Sequence, residues 1–156
     1  MITWIAVTSA TRARIFQARG PNSPLVELAD LVNPEERLQR KELRNDKPGR
    51  TNDAHRGQRH TLGMADDPHA ALAADFAKSL MSRLADDLAA KRFDRLCLVA
   101  PPRFLGMLRE KMTPSLRAVL IGEVTKDLTA RDAGGLARDL EPVVWPRVPP
   151  VPGLPA

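Results

Sequence analysis

Leu72, Phe76, Leu80, Leu84 and Leu88 recur every four residues, with Ala73, Ala77 and Met81 beside them. That spacing draws one apolar stripe along an α-helix and leaves the opposite face polar. Asp67 before Pro68 supplies the start: a short acceptor side chain at the N-cap, then proline at the first helical position, where its missing N–H is no loss. The helix is expected to run about 24 residues and end near Lys91. A stripe this long must be buried, and the flanking segments offer a sheet to bury it. Upstream, residues 2–8, 14–18 and 25–32 are rich in β-branched and apolar side chains. The Ser9-Ala10-Thr11 break between the first two suggests a hairpin, and Gly20-Pro21-Asn22-Ser23-Pro24 is a strong turn cluster. Downstream, residues 95–100 form a nearly continuous apolar run, the pattern of a central strand covered on both faces.

The rest of the chain continues the alternation. Pro101-Pro102 stops the strand and opens a helix through Phe104, Leu105 and Leu108. Pro114 opens a shorter one around Leu116, residues 119–124 read as a strand, and Thr129-x-x-Asp132 reads as a capping box for a last helix to Leu140, against Gly134-Gly135. Residues 35–44 suit a short charged helix. Three strands, a helix, then βα units predict an α/β fold: a three-layer, RNase H-like mixed sheet with an antiparallel start and helices on its faces. A chain of 156 residues fits one domain, placed at 1–141. Residues 142–156 are Pro-rich, and Pro146, Pro149, Pro152 and Pro155 are spaced by three, so a polyproline II helix aligns them on one face. That tail reads either as a docking peptide for a partner or as an extension without structure of its own.

Charge is concentrated. The formal net charge is +5, and residues 37–60 hold eight basic side chains against three acidic ones; elsewhere the two signs cancel. Overlapping this stretch, residues 45–63 have little apolar content and no periodicity, and they read as a basic loop. Arg44, Lys47, Arg50, Arg56, Arg59 and His60, in and just before it, are the candidate phosphate contacts; the alternative is a solvated loop paired with acids such as Asp86 and Asp87. Arg103 starts a helix just outside the carboxyl end of the central strand, where open α/β sheets bind anions. Lys126 and Asp127 follow the next strand and either approach the same edge or pair with each other near a cap. Aromatic residues make up 4% of the chain and none is tyrosine, so any nucleic acid is held by its backbone charge rather than by stacked bases.

Several chemistries are disfavoured. A two-metal nuclease needs carboxylates on its first and fourth strands; residues 2–18 contain none, and the fourth strand runs into Ala100-Pro101-Pro102. His55, His60 and His69 stand five and nine apart in a basic setting, which matches no metal-ligand spacing. Cys97 is the only cysteine and reads as a core thiol. No phosphate loop, dinucleotide fingerprint or Ser/His/Asp signature is present, so no cofactor is expected. No stretch approaches the roughly 18 apolar residues of a membrane span, and residues 1–7 lack the features of a signal peptide. The expected location is cytoplasmic.

Leu98-Val99-Ala100-Pro101-Pro102-Arg103-Phe104-Leu105-Gly106 and Lys126-Asp127-Leu128-Thr129 resemble the bacterial host attachment proteins, a family named for attachment to host cells. Asp46-Lys47-Pro48-Gly49-Arg50, Arg59-His60 and Arg12-Ala13-Arg14 fit the same resemblance, which covers about residues 2–140. It marks Asp46, Gly49, Arg50, Pro101, Pro102, Arg103, Lys126 and Asp127 as motif positions; Ser9 stands where many members carry Asp or Asn. The family is similar in topology to the middle domain of archaeal and eukaryotic release factors, whose Gly-Gly-Gln loop promotes peptidyl-tRNA hydrolysis. Arg56-Gly57-Gln58 falls in the corresponding connection, with one glycine in place of two. The resemblance implies an RNA- or ribosome-associated binding module with ribosome or tRNA as partner. Its alternatives are an ester hydrolase acting through Gln58 and an adhesion protein. Oligomeric state stays open.

Overall fold

The computed structural model describes residues 1–34 and 67–146. The expected charged helix at 35–44, the loop at 45–63 and the tail beyond Pro146 lie outside these. The described elements are β1 (Thr3–Thr8), β2 (Arg12–Ala18), β3 (Val26–Val32), α1 (Pro68–Ala89), β4 (Arg95–Ala100), α2 (Pro102–Lys111), α3 (Pro114–Val119), β5 (Leu120–Thr125) and α4 (Ala133–Val144). The strands form one mixed sheet in the order β3-β2-β1-β4-β5. β1–β2 and β2–β3 are antiparallel, β1–β4 and β4–β5 parallel. The expected mixed α/β architecture is therefore present.

The pleat sorts the core. Trp4, Ala6, Leu96, Leu98 and Ala100 pack with the buried stripes of α1, α2 and α3 on one face. Ile5, Val7, Cys97 and Val99 pack with Leu136, Leu140 and Val144 of α4 on the other. Both faces of β1 and β4 are thus covered, which is why neither strand alternates apolar with polar. Each fully buried Leu, Ile or Phe contributes about 1.5–3 kcal/mol. Trp4 stacks on Phe93 with ring centroids 4.7 Å apart.

Four details differ from the expectations, each for a local reason. In α1 the best-buried stripe is Ala73, Ala77, Leu80, Met81 and Leu84. Residues four apart drift around a helix of 3.6 residues per turn, so Leu72, Phe76 and Leu88 are only half-buried at its margins. α1 ends at Ala89 because Lys91 turns left-handed (φ 60); the N–H of Lys91 donates to the Leu88 carbonyl and that of Arg92 to the Asp87 carbonyl, at 2.9 and 3.0 Å, the Schellman pattern. α4 is capped by Asp132, which accepts from the Gly135 N–H at 2.9 Å, so Thr129 is not its N-cap. The helix also passes Leu140 and ends at Val144, with Pro142 inside its last turn.

β3 is irregular. Ile15 pairs with Ala29 but Phe16 pairs with Glu27, so Leu28 is an extra residue, a β-bulge. On the opposite side of the sheet α4 crosses close to β5: a Cβ at Gly122 would lie 2.5 Å from Val143 Cγ1.

Candidate functional site

Because β1, β4 and β5 are parallel and β3 runs with them, four strands deliver their carboxyl ends to one edge of the sheet. β4 ends at Ala100, then Pro101 and Pro102 start α2. Thr125 pairs with Ala100, so Lys126 leaves the edge beside Pro101. Thr8 closes β1 against β4 by donating its hydroxyl to the Val99 carbonyl at 2.9 Å. Ser9 is buried here; its N–H donates to the Arg12 carbonyl and its hydroxyl accepts from the Thr11 N–H, which tightens the β1–β2 turn. Asn33, only 4% exposed, donates its side-chain amide to the carbonyls of Ala10 and Leu72, tying the end of β3 and the start of α1 to that turn.

The described chain therefore leaves this edge at Pro34 and returns to it at Asp67. Asp67 caps α1 by accepting from the His69 N–H at 2.9 Å, and its other oxygen lies 4.0 Å from Arg103 Nη2. That contact is weak, since exposed ion pairs contribute about 0–1 kcal/mol. Arg103 is 54% exposed. α2 has no side-chain cap and no acid in its first turn, so its amino end is a positive locus facing solvent. Lys126 is exposed; among the described residues it has no ion pair within 4 Å, and its charge adds to the Arg131 hydrogen bond in lowering the Asp139 carboxyl. Asp127 does not pair with it: Asp127 Oδ1 accepts from the N–H and the hydroxyl of Thr129 at 3.1 and 2.6 Å, forming a side-chain turn.

Two further cations lie near the same edge and are engaged by carboxylates and carbonyls. Arg12 donates through Nε and Nη2 to the Asp30 carboxylate at 2.9 and 2.7 Å. Arg14 does the same to Glu27 at 2.8 and 3.1 Å. The remaining Nη1 of each donates to the Thr129 carbonyl, at 3.2 and 3.1 Å, and Arg14 Nη1 also reaches the Arg131 carbonyl. Hydrogen bonds from Arg12 and Arg14 hold the Asp30 and Glu27 carboxyls below the usual carboxylate range.

The family description "protein required for attachment to host cells" matches residues 4–140, from β1 almost to the end of α4. The chain belongs to this family. Among curated proteins none matches it.

In this host-attachment domain the motif positions divide. Pro101, Pro102, Arg103, Lys126 and Asp127 stand together at the carboxyl edge. Asp46, Gly49 and Arg50, the other loop candidates Arg44, Lys47, Arg56, Arg59 and His60, and Gln58 lie outside the described residues. Asp87, one of the acids considered as a loop partner, is engaged by Arg83 and Arg92 at 3.9 and 3.3 Å. Among the described residues no group of three His, Cys, Asp or Glu is placed to hold a metal, and no helix is long and apolar enough to cross a membrane. Burial pushes the Cys97 thiol up to about 12, so it is an unreactive core group.

Sequence reasoning passed over the Arg12–Asp30 and Arg14–Glu27 pairs. The alternation Arg-x-Arg was a visible signal. Glu27 and Asp30, three apart, fall on opposite faces of a regular strand; only the bulge at Leu28 brings them to one face.

Proposed function

We propose that this protein is a non-catalytic binding module for RNA phosphates, acting in the cytoplasm on the ribosome or tRNA. Its unit is the single domain of residues 1–141, on an RNase H-like, release-factor-like frame, and the Pro-rich tail at 142–156 is a docking segment for a partner. The contacts are Arg103 and Lys126 at the carboxyl edge, with Arg44, Lys47, Arg50, Arg56, Arg59 and His60 from the segment that leaves and re-enters there. The supporting observation is the coincidence at one edge of two exposed cations, the uncapped start of α2 and both ends of the stretch that contains the basic segment 37–60. Phosphate binding built this way weakens steeply with salt. The protein should co-sediment with ribosomes at low salt and leave them at high salt. Replacing Arg50, Arg56 and Arg59 together by Ala should remove that binding, and unchanged co-sedimentation of the triple variant would refute the reading.

Release-factor likeness supports a second reading, hydrolysis of peptidyl-tRNA esters through Gln58. The single glycine before Gln58, where release factors have two, favours binding over hydrolysis. Equal ester release by Gln58→Ala and wild type would end it. The adhesion reading taken from the family's name predicts the protein on the cell surface, which fractionation tests.

A further inference from the structure

Arg12 and Arg14 are arranged alike. Each guanidinium closes its Nε–Nη2 edge on a carboxylate of β3, Asp30 or Glu27, and spends its remaining Nη1 on the carbonyl of Thr129, more than a hundred residues away. Arg14 is only 11% exposed and lies over the Phe16 ring at 4.8 Å, so its position is set by packing as well as by charge. The Thr129 carbonyl is part-buried and takes both arginines as donors. Two neutralised arginines on one carbonyl fix where the turn sits. Asp127 ties Thr129 back toward Lys126 through its two hydrogen bonds, which makes the turn from Lys126 to Thr129 one unit.

We infer that Arg12 and Arg14 are positioning residues: they hold the Lys126–Thr129 turn so that Lys126 stands at the carboxyl edge, and they make no phosphate contact themselves. This rests on the phosphate-binding reading above. Lysine keeps the charge but lacks the planar fork, so it cannot grip a carboxylate bidentately and a carbonyl at once. The double variant Arg12→Lys/Arg14→Lys therefore loosens the turn without altering the field around the ligand.

The test is a double-mutant cycle on the full chain with a fluorescently labelled single-stranded RNA oligonucleotide. Lys126→Ala should weaken binding about three- to ten-fold and lower the salt slope by about one. The double Lys variant should give a loss of similar size in the wild-type background and none in the Lys126→Ala background. Equal losses in both backgrounds, the signature of general destabilisation, overturn the inference. So does wild-type affinity in the double variant when Lys126→Ala has weakened binding. Should the double variant lose its melting transition, Arg12→Lys alone carries the same cycle, since Arg12 is the more exposed of the two at 38%. If Arg103→Ala weakens binding and Lys126→Ala does not, the inference fails and the phosphate reading stands. If Arg103→Ala, Lys126→Ala and the triple loop variant all bind as wild type, the phosphate reading itself fails.

Discussion

β4 begins and ends beside an arginine, and the two are treated in opposite ways. At its amino end Arg95 is half-buried; it donates to the Val144 carbonyl at 3.0 Å and to the Thr3 hydroxyl at 3.4 Å, and its guanidinium lies 5.2 Å from the Trp145 ring centroid. The same end is closed by the Ile2 N–H donating to Asp94 at 2.7 Å. At its carboxyl end Arg103 is exposed, with one carboxylate at 4.0 Å. A cation whose donors are filled stabilises the fold, while one whose donors face water is available to a ligand anion. One arginine is spent inside the fold and the other faces solvent, at the edge where Pro101, Pro102, Arg103, Lys126 and Asp127 stand.

That contrast can be broken from either side. The largest effect on stability is expected from Arg95→Ala, about 2–3 kcal/mol from lost hydrogen bonds and the ring contact; urea unfolding measures it, and RNA binding should not change. Gly122→Val drives a side chain into Val143 and lifts α4, which carries the Val144 carbonyl, from β5; overpacking of this kind costs about 1–3 kcal/mol, read by the same unfolding curves. Lys91→Gly relieves the left-handed residue beside the closed edge and should raise stability by about 0.5–1 kcal/mol, seen as a higher melting temperature. Arg103→Ala should stay within about 0.5 kcal/mol of wild type while weakening RNA binding, the reverse of Arg95→Ala.

The smallest effect is on pH dependence. Asp30 and Glu27 have carboxyls lowered by their arginines. A carboxyl lowered in the folded state contributes stability that is present above its unfolded value, about 4, and is lost as pH falls through its folded value. Thermal melts should therefore show wild type losing stability on acidification below pH about 4, and Glu27→Gln losing less over that interval because it has less to lose.

Legibility followed the physics of each element. α1 and β4 were readable because a long stripe and a two-sided apolar run have few other ways to be buried, and the sheet's change from antiparallel to parallel followed from the order of elements. The placement of Arg103 and Lys126 was readable because they follow parallel strands that end at one edge. The Asp132 cap was misplaced at Thr129 because the choice depends on which amide a side chain reaches, and the Gly135 N–H favours Asp132. The arginine clamp was hidden because it depends on parity along β3, which one extra residue inverts without leaving any trace in composition.

That extra residue also affects how the protein behaves when crowded. Among the described residues β3 is an end strand of the sheet, and Val26, Leu28 and Val32 on it are exposed. A flat apolar strand at a sheet's end is a template for adding another chain. Leu28 interrupts the even spacing of its amides and carbonyls, and Glu27 and Asp30 put charge on both sides of the break. A chain deleted at Leu28 would present a smoother end strand, with Glu27 and Asp30 two apart and still on one face. It should aggregate at concentrations where the natural chain stays dispersed.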